Sequence, residues 1–188
     1  YRESLVVAEM YQQTGNWDAA RDGVLAENLL QMRTSNASKR ICREVISRLK
    51  LLTPAELEIV IDGTRMEQNY ALWLAICKRY RFIHDFAVEI VREKYLRLNF
   101  ALTHADFDAF FNSKAEWHPE VERVSSNGRN QLRQYLYRML REAELLSNEG
   151  KILPVLMTVR LAFALKEDNP TRFTIYPISD FDIREWIK

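Results

Sequence analysis

Glycine and proline are scarce in this sequence, with five of each among 188 residues. Both residues interrupt helices, glycine through its backbone freedom and proline through its missing amide donor. Between these few interruptions, apolar residues recur at helical spacing along most of the chain. We therefore predict a mainly α-helical protein.

Cysteine and histidine are also rare, with two and three residues respectively. Cys42 and Cys77 lie far apart and belong to no Cys-x-x-Cys pair or Cys/His cluster, which excludes a zinc finger or a thioredoxin-like motif. We expect two reduced, buried thiols, as is usual in cytoplasmic proteins. We predict no metal site and no cofactor.

Motifs that carry catalytic chemistry are missing as well. The chain has no P-loop, dinucleotide-binding, nucleophile-elbow or zinc-protease pattern. His104 and Asp106 fit the start of a capped helix, and no second histidine lies one helical turn away from any histidine. We predict that the protein is not an enzyme.

No run of apolar residues approaches the roughly 18 that are needed to span a bilayer. The best candidate, 152–159, is short and contains Pro154. We therefore expect a soluble cytoplasmic protein without a membrane partner.

Charge is distributed unevenly, although the net charge is only +1. Residues 33–50 carry six basic side chains against one acidic side chain, and residues 123–141 carry five arginines and no acid. Between them, residues 102–122 carry five acidic side chains against one lysine. Basic segments of this kind are candidates for contact with nucleic acid.

The pattern of predicted elements changes near residue 100. Before it we predict only helices, the last of them running from about 67 to 98 with a break near His84. After it we predict a helix capped by Thr103, a loop at 116–119, a long helix over 125–146, and two short strands at 152–153 and 173–176. This indicates an all-helical N-terminal part, 1–100, and a winged-helix-like C-terminal part, 101–188, although both could form one compact unit.

The long predicted helix over 125–146 has two chemically different faces. Leu132, Leu136 and Leu140 lie on the apolar face. The other face carries side chains suited to phosphate contact, and arginine in a major groove can also read guanine. We predict nucleic-acid contact here, the alternative being a solvated face paired with the acidic segment before it. The residues concerned are Arg129 at the edge, and Arg133, Gln134, Tyr137, Arg138 and Arg141.

A second basic face is predicted on the helix that follows the turn at 33–38. Its polar stripe lies opposite Ile41, Val45 and Leu49, and hydroxyls and basic side chains stand at the N-terminal end of the helix. An ordinary solvated face is the alternative. The residues of this second face are Arg33, Lys39, Arg40, Arg43, Ser47 and Lys50.

A group of aromatic residues falls in the acidic segment and the loop after it. Phe107, Phe110, Phe111 and Trp117 are expected to be buried, and a partner-binding surface is the alternative.

Short motifs spread along most of the chain form a recognisable combination. They are RESL at 2–5, Trp17, NLLQ at 28–31, RLKLLT at 48–53, LWLAICK at 72–78, FIHDF at 82–86, AFF at 109–111, EWHP at 116–119 and MLREA at 139–143. Together they resemble the BrxA family of the BREX bacteriophage-exclusion systems of bacteria. No single motif carries known chemistry, so the resemblance supplies no active site.

The resemblance implies a non-catalytic component of a defence system that also contains a methyltransferase, an ATPase and a phosphatase-like protein. It also implies binding of double-stranded DNA, and an N-terminal bundle similar to the NusB-type RNA-binding fold. The family is sometimes labelled an inner-membrane protein, which the absence of a spanning segment contradicts.

Two hypotheses for the function follow. The first is a DNA-binding accessory subunit that uses arginine-rich helix faces largely independently of sequence. The second is an adaptor that assembles other BREX subunits and binds DNA weakly or not at all. RNA is a less favoured ligand than double-stranded DNA.

Overall fold

A computed structural model describes all 188 residues of the chain. The structure is mainly helical, as predicted, and contains no sheet. A π-helical segment, Ala87–Arg92, and a 3-10 helix, Pro170–Ile175, accompany the α-helices. The α-helices are α1 (Arg2–Thr14), α2 (Trp17–Ala26), α3 (Ser35–Leu49), α4 (Pro54–Asp62), α5 (Arg65–Arg79), α6 (Arg81–Phe86), α7 (Glu93–Leu96), α8 (His104–Ala115), α9 (Pro119–Glu122), α10 (Ser126–Glu142), α11 (Val159–Asp168) and α12 (Asp180–Ile187).

The first of two compact units comprises Tyr1–Arg79 and Thr158–Asp168. Helix α1 packs against α2, α3 and α4, and α5 packs against α3 and α4. Large apolar side chains such as Leu49, Trp73 and Leu74 are fully buried at the centre of this unit. Their removal from water is the main force that holds the unit together. Cys42 and Cys77 are also buried there and form no disulfide.

Two helix starts in the first unit follow from local sequence signals. The side chain of Asn16 accepts hydrogen bonds from the backbone amides of Asp18 and Ala19 at the start of α2. At the start of α4, Thr53 and Glu56 form a reciprocal capping box. These bonds satisfy amides that would otherwise lack a partner within the helix.

A buried ion cluster ties α11 to the rest of the first unit. The ammonium group of Lys78 in α5 lies 2.6 Å from Glu56 in α4 and 2.9 Å from Asp168 at the end of α11. The side chains of Lys78 and Glu56 are almost completely buried. The chain therefore returns to its first unit after residue 157, a connection that the local sequence pattern did not reveal.

The second unit comprises Tyr80–Met157 and Asn169–Lys188. The division at Arg79 lies before the boundary near residue 100 that the sequence suggested, and the organisation into 1–100 and 101–188 stays a prediction. The helix break also lies at Tyr80 rather than at His84, because α5 ends at Arg79 and α6 begins at Arg81.

An aromatic cluster forms the core of the second unit. Phe107, Phe110 and Phe111 in α8 are buried, as predicted, and they contact Phe82 and Phe86 with ring centroids 5.0–6.2 Å apart. The expected burial of Trp117 is wrong, because its side chain is 81% exposed. Helix α8 ends at Ala115, so Trp117 lies beyond the helical face that carries the phenylalanines.

The two predicted strands do not form a sheet. Ile152 makes one isolated bridge, to Leu146. The strand predicted at 173–176 is wrong, because Phe173 and Ile175 lie in the 3-10 helix. This helix is started by Asn169, whose side chain caps it, and by Pro170, whose fixed φ suits the first helical position. Phe173 and Ile175 are buried although they lie in this 3-10 helix. Their composition is typical of a buried strand, which is why a strand was predicted here.

No helix of the structure combines the length and the apolar character that are needed to cross a membrane.

Candidate nucleic-acid interface

Helix α3 separates apolar and basic side chains cleanly. Thr34 caps its start by accepting a hydrogen bond from the amide of Ala37. Cys42, Val45 and Leu49 are buried on one face. Because side chains three and four positions apart share a face, the predicted basic residues fall together on the other side.

We define the basic stripe as Arg33, Lys39, Arg40, Arg43 and Lys50. All five side chains are exposed, and none forms an ion pair or a hydrogen bond within the protein. The single acidic residue of the segment, Glu44, is paired with Arg48 at 2.9 Å. The positive charge of the basic stripe is therefore not neutralised by the protein itself.

Two serines of this segment are less available for contact with phosphate than the sequence suggested. The hydroxyl of Ser47 donates a hydrogen bond to the carbonyl oxygen of Glu44, 2.8 Å away in the same helix. Ser38 is buried. Asn36, which the sequence analysis did not select, is exposed four positions before Arg40 and thus lies at the N-terminal end of the same face.

Helix α10 carries the other predicted face. Ser125 caps it by accepting a hydrogen bond from the amide of Gly128. Leu136 and Leu140 are fully buried, as the predicted apolar face requires. Tyr137 is also buried, rather than lying on the exposed face, and its hydroxyl donates a hydrogen bond to the carbonyl oxygen of Thr103. Burial is the main cause that raises the pKa of Tyr137 above its ordinary value.

Two arginines of α10 are paired with the acidic segment before the helix. Arg129 lies 2.9 Å from Asp108 and also donates a hydrogen bond to the side chain of Asn112. Arg133 lies 3.1 Å from the other oxygen of Asp108. Both guanidinium groups are partly buried, so the structure has the pairing that the sequence analysis left open as the alternative.

The remaining predicted residues of α10 are exposed and have no partner within the protein: Gln134, Arg138 and Arg141. The sequence analysis missed two further exposed side chains on the same side, Asn127 and Gln131. Their spacing would have located them, because they precede Gln134 by seven and three positions. We define the α10 solvent face as Asn127, Gln131, Gln134, Arg138 and Arg141.

Other basic residues are engaged in ion pairs. Arg81 pairs with Asp85 and Arg97 with Glu93, each four positions away in the same helical stretch. Lys94 lies 2.7 Å from Asp106. These lysine and arginine side chains therefore support the helices rather than extend the interface.

The histidine–carboxylate neighbours His104 and Asp106 lie at the start of α8. Asp106 caps α8 together with Thr103, as the sequence predicted. Burial opposes ionisation of Asp106, but hydrogen bonds from Lys94 and Thr103 outweigh it and hold its pKa below the ordinary value. No group of three or more histidine, cysteine, aspartate or glutamate side chains is arranged to hold a metal ion.

The sequence matches a known family over most of its length. The profile of the BrxA family matches residues 1–169. A protein named BREX protein BrxA from Bacillus cereus is 28% identical over 129 residues, which cover 69% of this chain and 64% of that protein. A protein of the same name from Escherichia coli is 24% identical over 142 residues, or 76% of this chain and 67% of that protein. The matched region thus spans about two thirds of each relative.

The fold is similar to that of one solved structure. The crystal structure of an uncharacterized protein from Magnetospirillum magneticum superimposes with a TM-score of 0.78 at 22% identity, covering 94% of this chain and 92% of that chain. At this identity the likeness concerns the fold alone.

Proposed function

The chain belongs to the BrxA family, and we propose that it acts within a BREX bacteriophage-exclusion system by binding double-stranded DNA, largely independently of sequence. The names of its relatives support the first part of this proposal. The observation that carries the second part is the basic stripe, in which Arg40 and Arg43 are exposed and unpaired.

The basic stripe has the length and the charge to contact several phosphates of one DNA backbone. From Lys39 to Lys50 the stripe extends about 17 Å along α3, given a rise of about 1.5 Å per residue. A DNA backbone presents several phosphates over that distance, and each neutralised phosphate releases condensed counterions. A solvated helix face normally mixes both charge signs, whereas the one acidic residue here is bound by Arg48.

The α10 solvent face adds two further unpaired cations, Arg138 and Arg141, as candidates for contact with DNA. Arg129 and Arg133 are weaker candidates, because both are already paired with Asp108. Tyr137 is too buried to touch a duplex without rearrangement.

An equilibrium titration of fluorescent duplex DNA, with an RNA control, tests the proposal at about 50 and 200 mM salt. The variant is Arg40→Glu/Arg43→Glu. The matched control is Arg2→Glu/Arg184→Glu, which changes the net charge equally at two exposed arginines outside both faces.

We expect the unaltered protein to bind duplex DNA with micromolar or tighter affinity that falls steeply with salt. The stripe variant should bind at least about tenfold more weakly and show a shallower salt dependence, since two phosphate contacts are replaced by repulsion. The absence of binding at low salt contradicts the proposal. An equal loss in the control variant contradicts the assignment to the basic stripe, and tighter binding to RNA makes RNA the ligand.

An adaptor role is the second candidate, and exposed apolar side chains favour it. Val159 and Phe163 lie one turn apart on α11 with exposures of 74% and 60%, and Trp117 is 81% exposed. Large exposed apolar side chains are typical of protein-binding surfaces when they cluster. Copurification with the methyltransferase, ATPase and phosphatase-like subunits tests this role, and Phe163→Glu should abolish it while leaving DNA binding intact.

Four finer statements accompany the proposal as predictions. The protein has no enzymatic activity of its own, and it acts in the cytoplasm, where bacterial DNA lies. The N-terminal part, 1–100, is a NusB-like bundle, and the C-terminal part, 101–188, is winged-helix-like despite the missing sheet. Comparison of an experimental structure bound to DNA with both fold types would test the last two statements.

A further inference from the structure

The α10 solvent face differs chemically from the basic stripe. It combines three amide side chains, Asn127, Gln131 and Gln134, with two arginines and no lysine, and the exposed Glu142 lies at its edge, four positions after Arg138. The basic stripe consists of arginine and lysine only. All five side chains of the α10 solvent face are exposed, and none makes a hydrogen bond or an ion pair within the protein.

The fold does not explain this composition. Exposed helix positions are usually filled by glutamate and lysine, which favour the helix and pair with each other. Asparagine favours the helix interior less than these residues, yet Asn127 lies within the first turn of α10 and makes no hydrogen bond there. The cap is supplied instead by Ser125.

The amides suit base edges better than phosphates. An asparagine or glutamine amide presents a donor next to an acceptor, which matches N6 and N7 of adenine in the major groove. An arginine presents two parallel donors, which match O6 and N7 of guanine. Phosphate oxygens only accept hydrogen bonds and favour cations, so they make no use of an amide's acceptor.

The charge of the neighbouring residues also favours contact with bases over contact with phosphates. Asp108 pairs with both Arg129 and Arg133 and offsets one of their two charges, which leaves Arg138 and Arg141 as the unpaired cations of α10. A surface with so little free charge is poorly suited to hold a duplex through its backbone alone. It is suited to distinguish bases once other contacts hold the duplex.

The geometry of α10 fits a DNA groove. Successive members of the α10 solvent face are four, three, four and three positions apart, so they form one straight stripe. With 17 residues, α10 is about 25 Å long, and a major groove about 12 Å wide admits an α-helix. Tyr135 flanks the stripe and is 56% exposed.

We infer that α10 enters the major groove of DNA and reads base edges through Gln131, Gln134 and Arg138, which adds a preference for short sites containing adenine and guanine. This inference rests on the proposed DNA binding and adds sequence preference to it. The α10 solvent face selects among sites, whereas contacts with phosphates are independent of sequence.

Selection from a pool of duplexes with a randomised centre tests the inference. The unaltered protein should enrich a short motif of adenines and guanines, with about tenfold preference over the pool, because a bidentate contact discriminates a base by about 1–3 kcal/mol. Gln131→Ala/Gln134→Ala should lose the preference for adenine, while the salt dependence of its binding to the unselected pool stays the same, because neither glutamine carries a charge. Both alanines favour a helix, so α10 should stay folded. Gln12→Ala/Gln13→Ala on α1, where both glutamines are exposed, is the matched control and should retain the motif.

The possible outcomes of the selection distinguish the inference about α10 from the proposed DNA binding. Binding of the pool without any enriched motif overturns the inference and leaves the proposed DNA binding intact. Enrichment of the same motif by the α10 variant also overturns it, because the amides then do not read the bases. Failure of the unaltered protein to bind any duplex overturns both proposals.

Discussion

The carboxylate of Asp108 in α8 lies 3.1 Å from the guanidinium group of Arg133 in α10. The same carboxylate also holds Arg129, at 2.9 Å. Two arginines that appear free on a helical wheel are therefore engaged in linking two helices. This pairing separates the arginines of α10 that support the fold from Arg138 and Arg141, which face solvent without a partner.

Asp108→Asn should strengthen DNA binding and make it more dependent on salt. The change removes one negative charge and releases two arginines for phosphate contact. The same titration with duplex DNA measures the effect. Asp62→Asn is the control, because Asp62 is an exposed partner of Arg160 in the first unit. Since the Asp108 pairs are partly exposed, the free energy of unfolding should fall by only about 1 kcal/mol or less. Unchanged affinity in Asp108→Asn would show that α10 does not contact the backbone of DNA.

Tyr137→Phe should lower stability and leave DNA binding unchanged. Its buried hydroxyl donates a hydrogen bond to the carbonyl oxygen of Thr103, and loss of such a bond costs about 1 kcal/mol. Urea unfolding measures the stability, and the duplex titration measures the binding. A clear loss of affinity for DNA at unchanged stability would show that the hydroxyl of Tyr137 contacts DNA.

Lys78→Met should destabilise the first unit strongly. Lys78 is the common partner of Glu56 and Asp168, and its removal leaves a fully buried carboxylate without its counter-ion. Breaking a buried pair in this way costs about 3–5 kcal/mol. Urea unfolding checks the value, with Lys166→Met on α11 as the control. A fall in the free energy of unfolding of less than about 1 kcal/mol, as is typical of exposed ion pairs, would contradict the burial of this ion cluster.

Thr158→Val should make the stability less sensitive to acid. The hydroxyl of Thr158 donates a 2.6 Å hydrogen bond to Glu67, and this bond, followed by those from Thr64, holds the pKa of Glu67 below its ordinary value. A lowered folded pKa stabilises the protein above the unfolded value of about 4.3, and this contribution is lost as the pH falls through the folded pKa. The valine variant should therefore be less stable at neutral pH, by about 1–2 kcal/mol, and the difference should shrink at pH 3.

Urea unfolding at pH 7 and pH 3 checks this expectation in a double-mutant cycle with Glu67→Gln. In the glutamine background, Thr158→Val should cost nearly the same at both pH values. A pH-dependent cost that persists in that background would assign the effect to another carboxylate.

Local patterns predicted a good part of the fold. The cap at Thr103 acts as the sequence indicated, because it depends on residues within one helical turn. The apolar faces of α3 and α10 are also as predicted, since helical periodicity alone decides which side chains share a face. Composition misled at 173–176, where a proline-started 3-10 helix buries residues that favour strands.

The sequence by itself therefore determined that the protein is mainly helical, where helices such as α8 and α10 begin, and which helix faces carry cations. Only the tertiary structure decided which cations are free. Arg43 stays unpaired, while Asp108 binds Arg133 from a position 25 residues earlier in the chain. Likewise, only the tertiary structure joined Asp168 to Lys78 and exposed Trp117. The physical reason is that periodicity specifies the direction of a side chain from its own helix, whereas its partner is supplied by whichever distant segment packs beside it.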